Sequence, residues 1–307
     1  MSVGEPNTVV GPQGGAKERS GDQAAAAELG YDPGWTDATW RGAQPVEPPE
    51  AGLGRKIAGA LRVALFVLAT LALLPVFFAA RALGGRLDRA VAGWWCGAGA
   101  RCVGLRVRRV GAPSPKGGAL LVNHASWLDI LVVGSSAPVH FVAKAEISGW
   151  PIFGWIGRIS RTVFIARRRS EAKAQERMLA RRAESGELLC LFAEGTSSDG
   201  QRVLPFKTAL FSMFYDEGGA PRGIAAQPVS IHYAPPPGLA PSFFGWWGRM
   251  PLFPHIRNVL RHGPGGVATI TFHPPLDPAD FANRKRLAAE AERVVRAGRD
   301  AAAEGAV

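Results

Sequence analysis

The sequence predicts an α/β domain, a mixed β-sheet flanked by helices, preceded by a membrane-associated helical hairpin. Three observations predict it. An 18-residue run without a charge, "VALFVLATLALLPVFFAA" (63–80), precedes everything strand-like. From about Leu105 onward, short apolar runs of strand length alternate with stretches of helical period. One of those short runs, "ALLV" (119–122), delivers the stretch "NHASWLD" (123–129) to a strand end, where α/β sheets place their sites.

The elements follow in chain order. Residues 1–52 are rich in Gly, Pro, Ala, Gln and acids and show no hydrophobic period, the composition of a disordered tail. Trp35 and Trp40 in this tail are read as incidental aromatics, with a short docking motif as the alternative. Residues 53–103 form the hairpin. The uncharged run is long enough to span a bilayer or to lie in it, and it starts too far from the first residue to be a cleavable signal peptide. Arg55, Lys56 and Arg62 precede it and Arg81, Arg86 and Arg89 follow it, so flanking charge assigns no orientation. Pro75 is expected to kink the first helix. Trp94 and Trp95, in a weaker apolar stretch, suit a membrane interface. Residues 104–307 form one domain. Its strands are read at 119–122, 140–143, 161–166, 187–192, 225–233 and 266–273, and its helices chiefly at 170–184 and 282–301.

Charge narrows the partners. The chain has 307 residues and a net charge of +11; residues 1–50 hold eight acids and three bases, a net of −5, which leaves +16 on the remainder. Residues 158–182 alone hold nine Arg and Lys against two Glu. A body this basic expects an anionic partner: a membrane surface, nucleic acid or a phosphorylated substrate. Nucleic acid is set aside, because no stacking-aromatic or fold motif accompanies the basic run. Cys96, Cys102 and Cys190 have neither CxxC nor metal spacing and read as small buried side chains. "GTSSD" (195–199) fails the nucleophile-elbow pattern of serine hydrolases at its last position. His140, His232, His255, His262 and His273 show no ligand spacing and read as structural or surface residues. The aromatic stretch "FFGWWGRMPLF" (243–253) is either a core loop or a lipid-dipping one.

His124 and Asp129 stand five apart, about 140° apart on a regular helix, so they cannot meet on one. "SWLD" (126–129) has the form of a capping box, with Ser126 as N-cap and Asp129 at N3. A carboxylate there could turn back to the His124 ring, fix its tautomer and leave its other nitrogen as a base. On these residues alone, a plain helix cap beside a loop histidine is an equal reading.

The downstream stretches decide between them. "NHASWLD" resembles the N-H-x-x-x-x-D box of the glycerolipid acyltransferases, "VFIAR" (163–167) their second box, "FAEGTSS" (192–198) their Phe-Pro-Glu-Gly-Thr-Arg box and "QPVSI" (227–231) their Pro-Val box. All four come in the family's order. The resemblance implies that His124 deprotonates a lysolipid hydroxyl, which attacks an acyl thioester, while Asp129 orients the histidine. It further implies that Glu194, Gly195 and Thr196 line the acceptor pocket and that Arg167 contacts the head group, with Ser197 and Lys207 as further substrate-binding residues. No metal and no cofactor are implied beyond the donor substrate, acyl-CoA or acyl carrier protein. Four positions depart from the family pattern: Ser197 replaces an Arg, Ala193 a Pro, Arg161 a common Gly and Ala166 a common Asp.

The expected activity is therefore acyl transfer to 1-acylglycerol-3-phosphate, giving phosphatidic acid, at a membrane and on its cytoplasmic face. The run "EGTSSDGQRVLPFK" (194–207) is more similar to relatives that acylate lyso-ornithine lipid, which is the alternative acceptor. A non-catalytic membrane lipid-binding protein is the alternative of another class; an intact His124 and Asp129 argue against it.

Overall fold

A computed structural model of the chain describes residues 47–83, 87–149, 154, 156–157, 160–165, 171–248 and 250–305. Two helices come first, α1 (Leu53–Ala82) and α2 (Leu87–Cys102). At 1.5 Å per residue α1 is about 45 Å long, and it runs on through Pro75. It is long and apolar enough to cross a membrane by length and composition, and only 11% of its most apolar window is buried. Leu61, Leu65, Leu68 and Leu71, spaced at helical period, are each about 60% exposed. An open apolar stripe of this kind favours a lipid environment over water.

The two helices do pair as a hairpin. Phe77, Ala80 and Val91 are buried between them, the Phe66 and Trp95 rings lie 5.2 Å apart, and Trp95 Nε1 donates to Thr70 Oγ1 at 2.9 Å. The opposite side of α2 is lined with glycine and docks on α3 (Leu128–Ser136). A Cβ on Gly93 would lie 3.3 Å from the Gly134 carbonyl oxygen, and one on Gly134 would lie 2.5 Å from Cys96 Sγ. The backbones approach too closely for larger residues, so α2 belongs as much to the α/β body as to the hairpin.

The sheet has seven strands: β1 (Arg106–Val110), β2 (Gly118–Val122), β3 (His140–Lys144), β4 (Val163–Ile165), β5 (Leu188–Phe192), β6 (Ala226–Ala234) and β7 (Val267–Phe272). Their order is β1-β7-β6-β2-β5-β3-β4. β2 to β6 run parallel to one another, β7 lies antiparallel on β6, and β1 pairs parallel with β7, so the sheet is mixed as expected. Alternate residues serve opposite faces. Leu120, Val122, Val229 and Ile231 pack with α3 and with α5 (Leu252–His262). Ala119, Leu121, Leu189 and Leu191 pack with α4 (Ala172–Glu184) and α6 (Arg284–Ala303).

Two elements escape the sequence pattern. β1, "RVRRV", is an exposed edge strand; charge on an edge discourages pairing with other chains, and it hides the strand signal. In the aromatic stretch, Phe243, Phe244 and Trp247 are buried core, and the helix α5 follows, over residues for which no element was expected. Residue 166 lies outside the described residues, and β4 starts two residues later than the expected strand 161–166 because Arg161 adopts φ 57°, the left-handed region that favours glycine. This is the position where the resembled family commonly has Gly. Replacing Arg161 by Gly removes a cost of about 1–2 kcal/mol and adds about 0.5–1 kcal/mol of unfolded-state entropy. The expected result is a thermal midpoint equal to the parent's or up to a few degrees higher; a lower midpoint would contradict the left-handed assignment.

Candidate active site

β2 is the central strand, with β5 on one side and β6 on the other, all parallel, so their carboxyl ends emerge together. Val122 stands opposite Phe192 and Val229 in register. His124 and Glu194 each lie two residues beyond that line, which makes them neighbours. Asn123 closes the seam to β6: its amide donates to the Ile231 carbonyl at 2.9 Å and accepts the Ile231 N–H at 2.7 Å. A side chain here continues the ladder where the backbone of β2 turns away.

The turn winds around one carboxylate. Asp129 Oδ2 accepts from His124 Nδ1 at 2.7 Å and from the N–H groups of Ala125 and Ser126 at 2.8 and 3.0 Å. Oδ1 accepts from the Tyr233 hydroxyl at 2.6 Å. Asp129 is fully buried. An ionised carboxylate is acceptor-only, so Nδ1 carries the proton and Nε2 is left with its lone pair. The His124 side chain is 19% exposed, open enough to meet a substrate. Its ring stacks on Phe192 at 4.1 Å between centroids and 20° between planes, which fixes the ring plane.

Only half of the expected capping box forms. The helix begins at Leu128 with Trp127 as its cap residue, which makes no side-chain cap bond. Asp129 reaches back to the Ser126 N–H, while Ser126 Oγ is buried without a partner. The carboxylate is engaged by the histidine and the turn, which is how residues five apart meet.

The second loop is strapped onto the first. Glu194 is fully buried. Its Oε1 accepts the His124 N–H at 2.7 Å and its Oε2 the Leu204 N–H at 3.0 Å, while the Ser198 N–H donates to the His124 carbonyl at 2.8 Å. Burial pushes the Glu194 carboxyl well above the usual carboxylate range, and the two N–H donors pull against that. Both oxygens are engaged inside the protein, so Glu194 shapes the histidine turn rather than presenting an open carboxylate. Gly195 takes φ 68°, and a Cβ there would lie 3.2 Å from Lys207 Cγ; the Lys207 stem covers this turn and its end is exposed. Thr196 and Ser197 are half-buried beside it. Arg167 lies outside the described residues.

Behind the site, Trp127 Nε1 donates to His255 Nδ1 at 2.9 Å, and the Trp246 N–H donates to the Ala125 carbonyl at 2.8 Å. The aromatic loop and α5 therefore brace the histidine turn. His140, His255 and His262 are buried, and His232 and His273 half-buried. Among the described residues no three His, Cys, Asp or Glu converge as a metal site. Asn123, Tyr233 and His255 were missed as site residues. For Tyr233 a signal existed: Val229, Ile231 and Tyr233 alternate along one face of β6, and a core-facing tyrosine needs a buried partner for its hydroxyl.

A profile of the Acyltransferase family matches residues 106–232. The chain is 40% identical over 275 residues to a lyso-ornithine lipid O-acyltransferase of Rhodobacter capsulatus, covering 86% of this chain and 98% of that protein. It is 36% identical over 124 residues to a 1-acyl-sn-glycerol-3-phosphate acyltransferase of Neisseria gonorrhoeae, covering 40% of this chain and 49% of that protein. The crystal structure of the 1-acyl-sn-glycerophosphate acyltransferase from Thermotoga maritima superposes with a TM-score of 0.56 at 22% identity, over 80% of this chain and 96% of that one. That last likeness concerns the fold.

Proposed function

The chain belongs to the acyltransferase family as a lysolipid acyltransferase, and we propose that its acceptor is the hydroxyl of lyso-ornithine lipid, with acyl-CoA or acyl carrier protein as donor. The observation that carries the choice of acceptor is the near full-length likeness to the Rhodobacter protein, set against a likeness to the phosphate-head enzyme that spans about half of that protein. Ser197 supports it. Without a guanidinium at that position the loop lacks a fork for phosphate, and the nearby Arg202 is already paired with Asp199 at 3.0 Å. This revises the first expectation of 1-acylglycerol-3-phosphate.

In the proposed mechanism His124 Nε2 takes the proton of the lysolipid hydroxyl as its oxygen attacks the thioester carbonyl. Asp129 stabilises the imidazolium that forms. When the tetrahedral adduct collapses, the C–S bond breaks and the thiolate leaves with the proton returned from His124. The acyl group passes directly to the acceptor, and no acyl-enzyme forms. Glu194 and Asn123 act at one remove, by holding the turn. α1 keeps the site at the bilayer where lysolipids reside, on the cytoplasmic side where thioester donors are available.

The test offers both lysolipids to the purified enzyme and to a Ser197→Arg variant. A charge-assisted hydrogen bond contributes about 1.5–3 kcal/mol, roughly tenfold to a hundredfold. The parent enzyme is expected to favour lyso-ornithine lipid by at least about tenfold, and Ser197→Arg to lower that preference by repelling the ammonium group. A parent enzyme that prefers 1-acylglycerol-3-phosphate would restore the first expectation.

A further inference from the structure

We propose that Tyr233 is a positioning residue for acyl transfer, its hydroxyl holding Asp129 and thereby setting the orientation and basicity of the His124 imidazole. The inference rests on His124 as the base. Geometry carries it. The phenol donates to Asp129 Oδ1 at 2.6 Å, and both residues are buried. The other carboxylate oxygen already holds His124 and two backbone N–H groups. With Oδ1 tied to β6, the carboxylate cannot rotate about its Cβ–Cγ bond, and Oδ2 stays aimed at Nδ1.

The bond also draws charge from the carboxylate. Four donors share its two oxygens, and removing the phenol leaves more charge for the imidazolium. His124 would then protonate at higher pH and be unavailable as a base over more of the neutral range. Other titratable groups lie around the pair. Cys190 on β5 is pushed well up by burial and by Asp129 and stays a thiol. Glu194 faces the pair from beyond β5, and His255 of α5 lies behind Trp127. The Tyr233 phenol itself is pushed well above its ordinary value by burial and by the Asp129 carboxylate, so it remains a donor throughout.

The experiment compares the parent enzyme with Tyr233→Phe, Asp129→Asn, the double variant and His124→Ala. It uses a purified full-length chain, a long-chain acyl-CoA and whichever of the two lysolipids the parent turns over. Tyr233→Phe is expected to lower kcat about tenfold at neutral pH, less than the roughly 10²–10⁴-fold that the base itself supplies, with KM changed by no more than about twofold. The acidic limb of its pH profile should move up by about one unit. In the Asp129→Asn background the same change should cost little more, because the two residues act as one unit. A Tyr233→Phe enzyme with parental kcat and an unmoved limb overturns the proposal, as does an equal loss in both backgrounds. Should Tyr233→Phe fold poorly, the chain with Tyr31 and Tyr215 changed to Phe can carry 3-fluorotyrosine at Tyr233, the third of its three tyrosines. The stronger donor should move the limb down, and an unmoved limb overturns the proposal. Retained turnover in His124→Ala would instead remove the base itself, an outcome distinct from any result at Tyr233.

Discussion

Replacing His124 by Ala is expected to lower turnover by about 10²–10⁴-fold, the range that a positioned general base supplies, while leaving the thermal midpoint close to that of the parent. The main-chain bonds that build the turn do not involve the imidazole: the His124 N–H to Glu194, the Ser198 N–H to the His124 carbonyl, and the Ala125 and Ser126 N–H groups to Asp129 all survive. The side chain lost is partly open to solvent and stacks on one face of Phe192. Chemistry and fold are therefore separable at this position. At Asp129 they are not, because its oxygens hold the turn as well as the ring. Turnover with both lysolipids, measured beside a melting curve, checks this; near-normal turnover in the folded variant would remove His124 from the mechanism.

Deleting residues 1–102 is expected to abolish recoverable activity and leave aggregated protein, whereas deleting residues 1–46 leaves turnover within about twofold. The first deletion does more than remove an anchor. α2 covers α3 along a glycine-lined contact, with Gly99 close against Leu131 and Gly134 against Cys96, and α3 carries Asp129 in its first turn. Uncovering that face exposes buried apolar surface at roughly 25 cal/mol per Å² and frees the helix that aims the carboxylate. The shorter deletion removes a segment whose composition supplies no core. Fractionation between membrane, soluble and pelleted material, together with turnover, distinguishes the cases. A soluble and fully active fragment starting near Leu105 would show that α1 and α2 have neither role.

Much of the fold was legible in the sequence where each strand is buried on both faces. β2, β5 and the apolar positions of β6 and β7 are short runs of Leu, Val, Ile and Ala bounded by breaks, and their residue types follow directly from burial. β1 was not legible, since an arginine-rich edge strand has no apolar face to announce it. The start of β4 was not legible either: it depends on a left-handed residue that is an arginine. The hairpin was predicted as a membrane element, but its second helix proved to be divided between α1 and the α/β body, which no property of "LDRAVAGWWCGAGARC" (87–102) alone reveals.

What the sequence by itself determined is the set of parts: an apolar helix with basic flanks, a core of short apolar strands, and a histidine and an aspartate at a strand end. Those parts are local, fixed by composition, period and spacing within a few residues. Tertiary structure decided how they are used. Glu194 reaches His124 across 70 residues and Tyr233 reaches Asp129 across 104, because sheet register sets β5 and β6 on either side of β2. The chain does not encode such pairings at any single position; they arise when several strands align their ends, and a shift of one residue in any of them would turn these side chains to the other face.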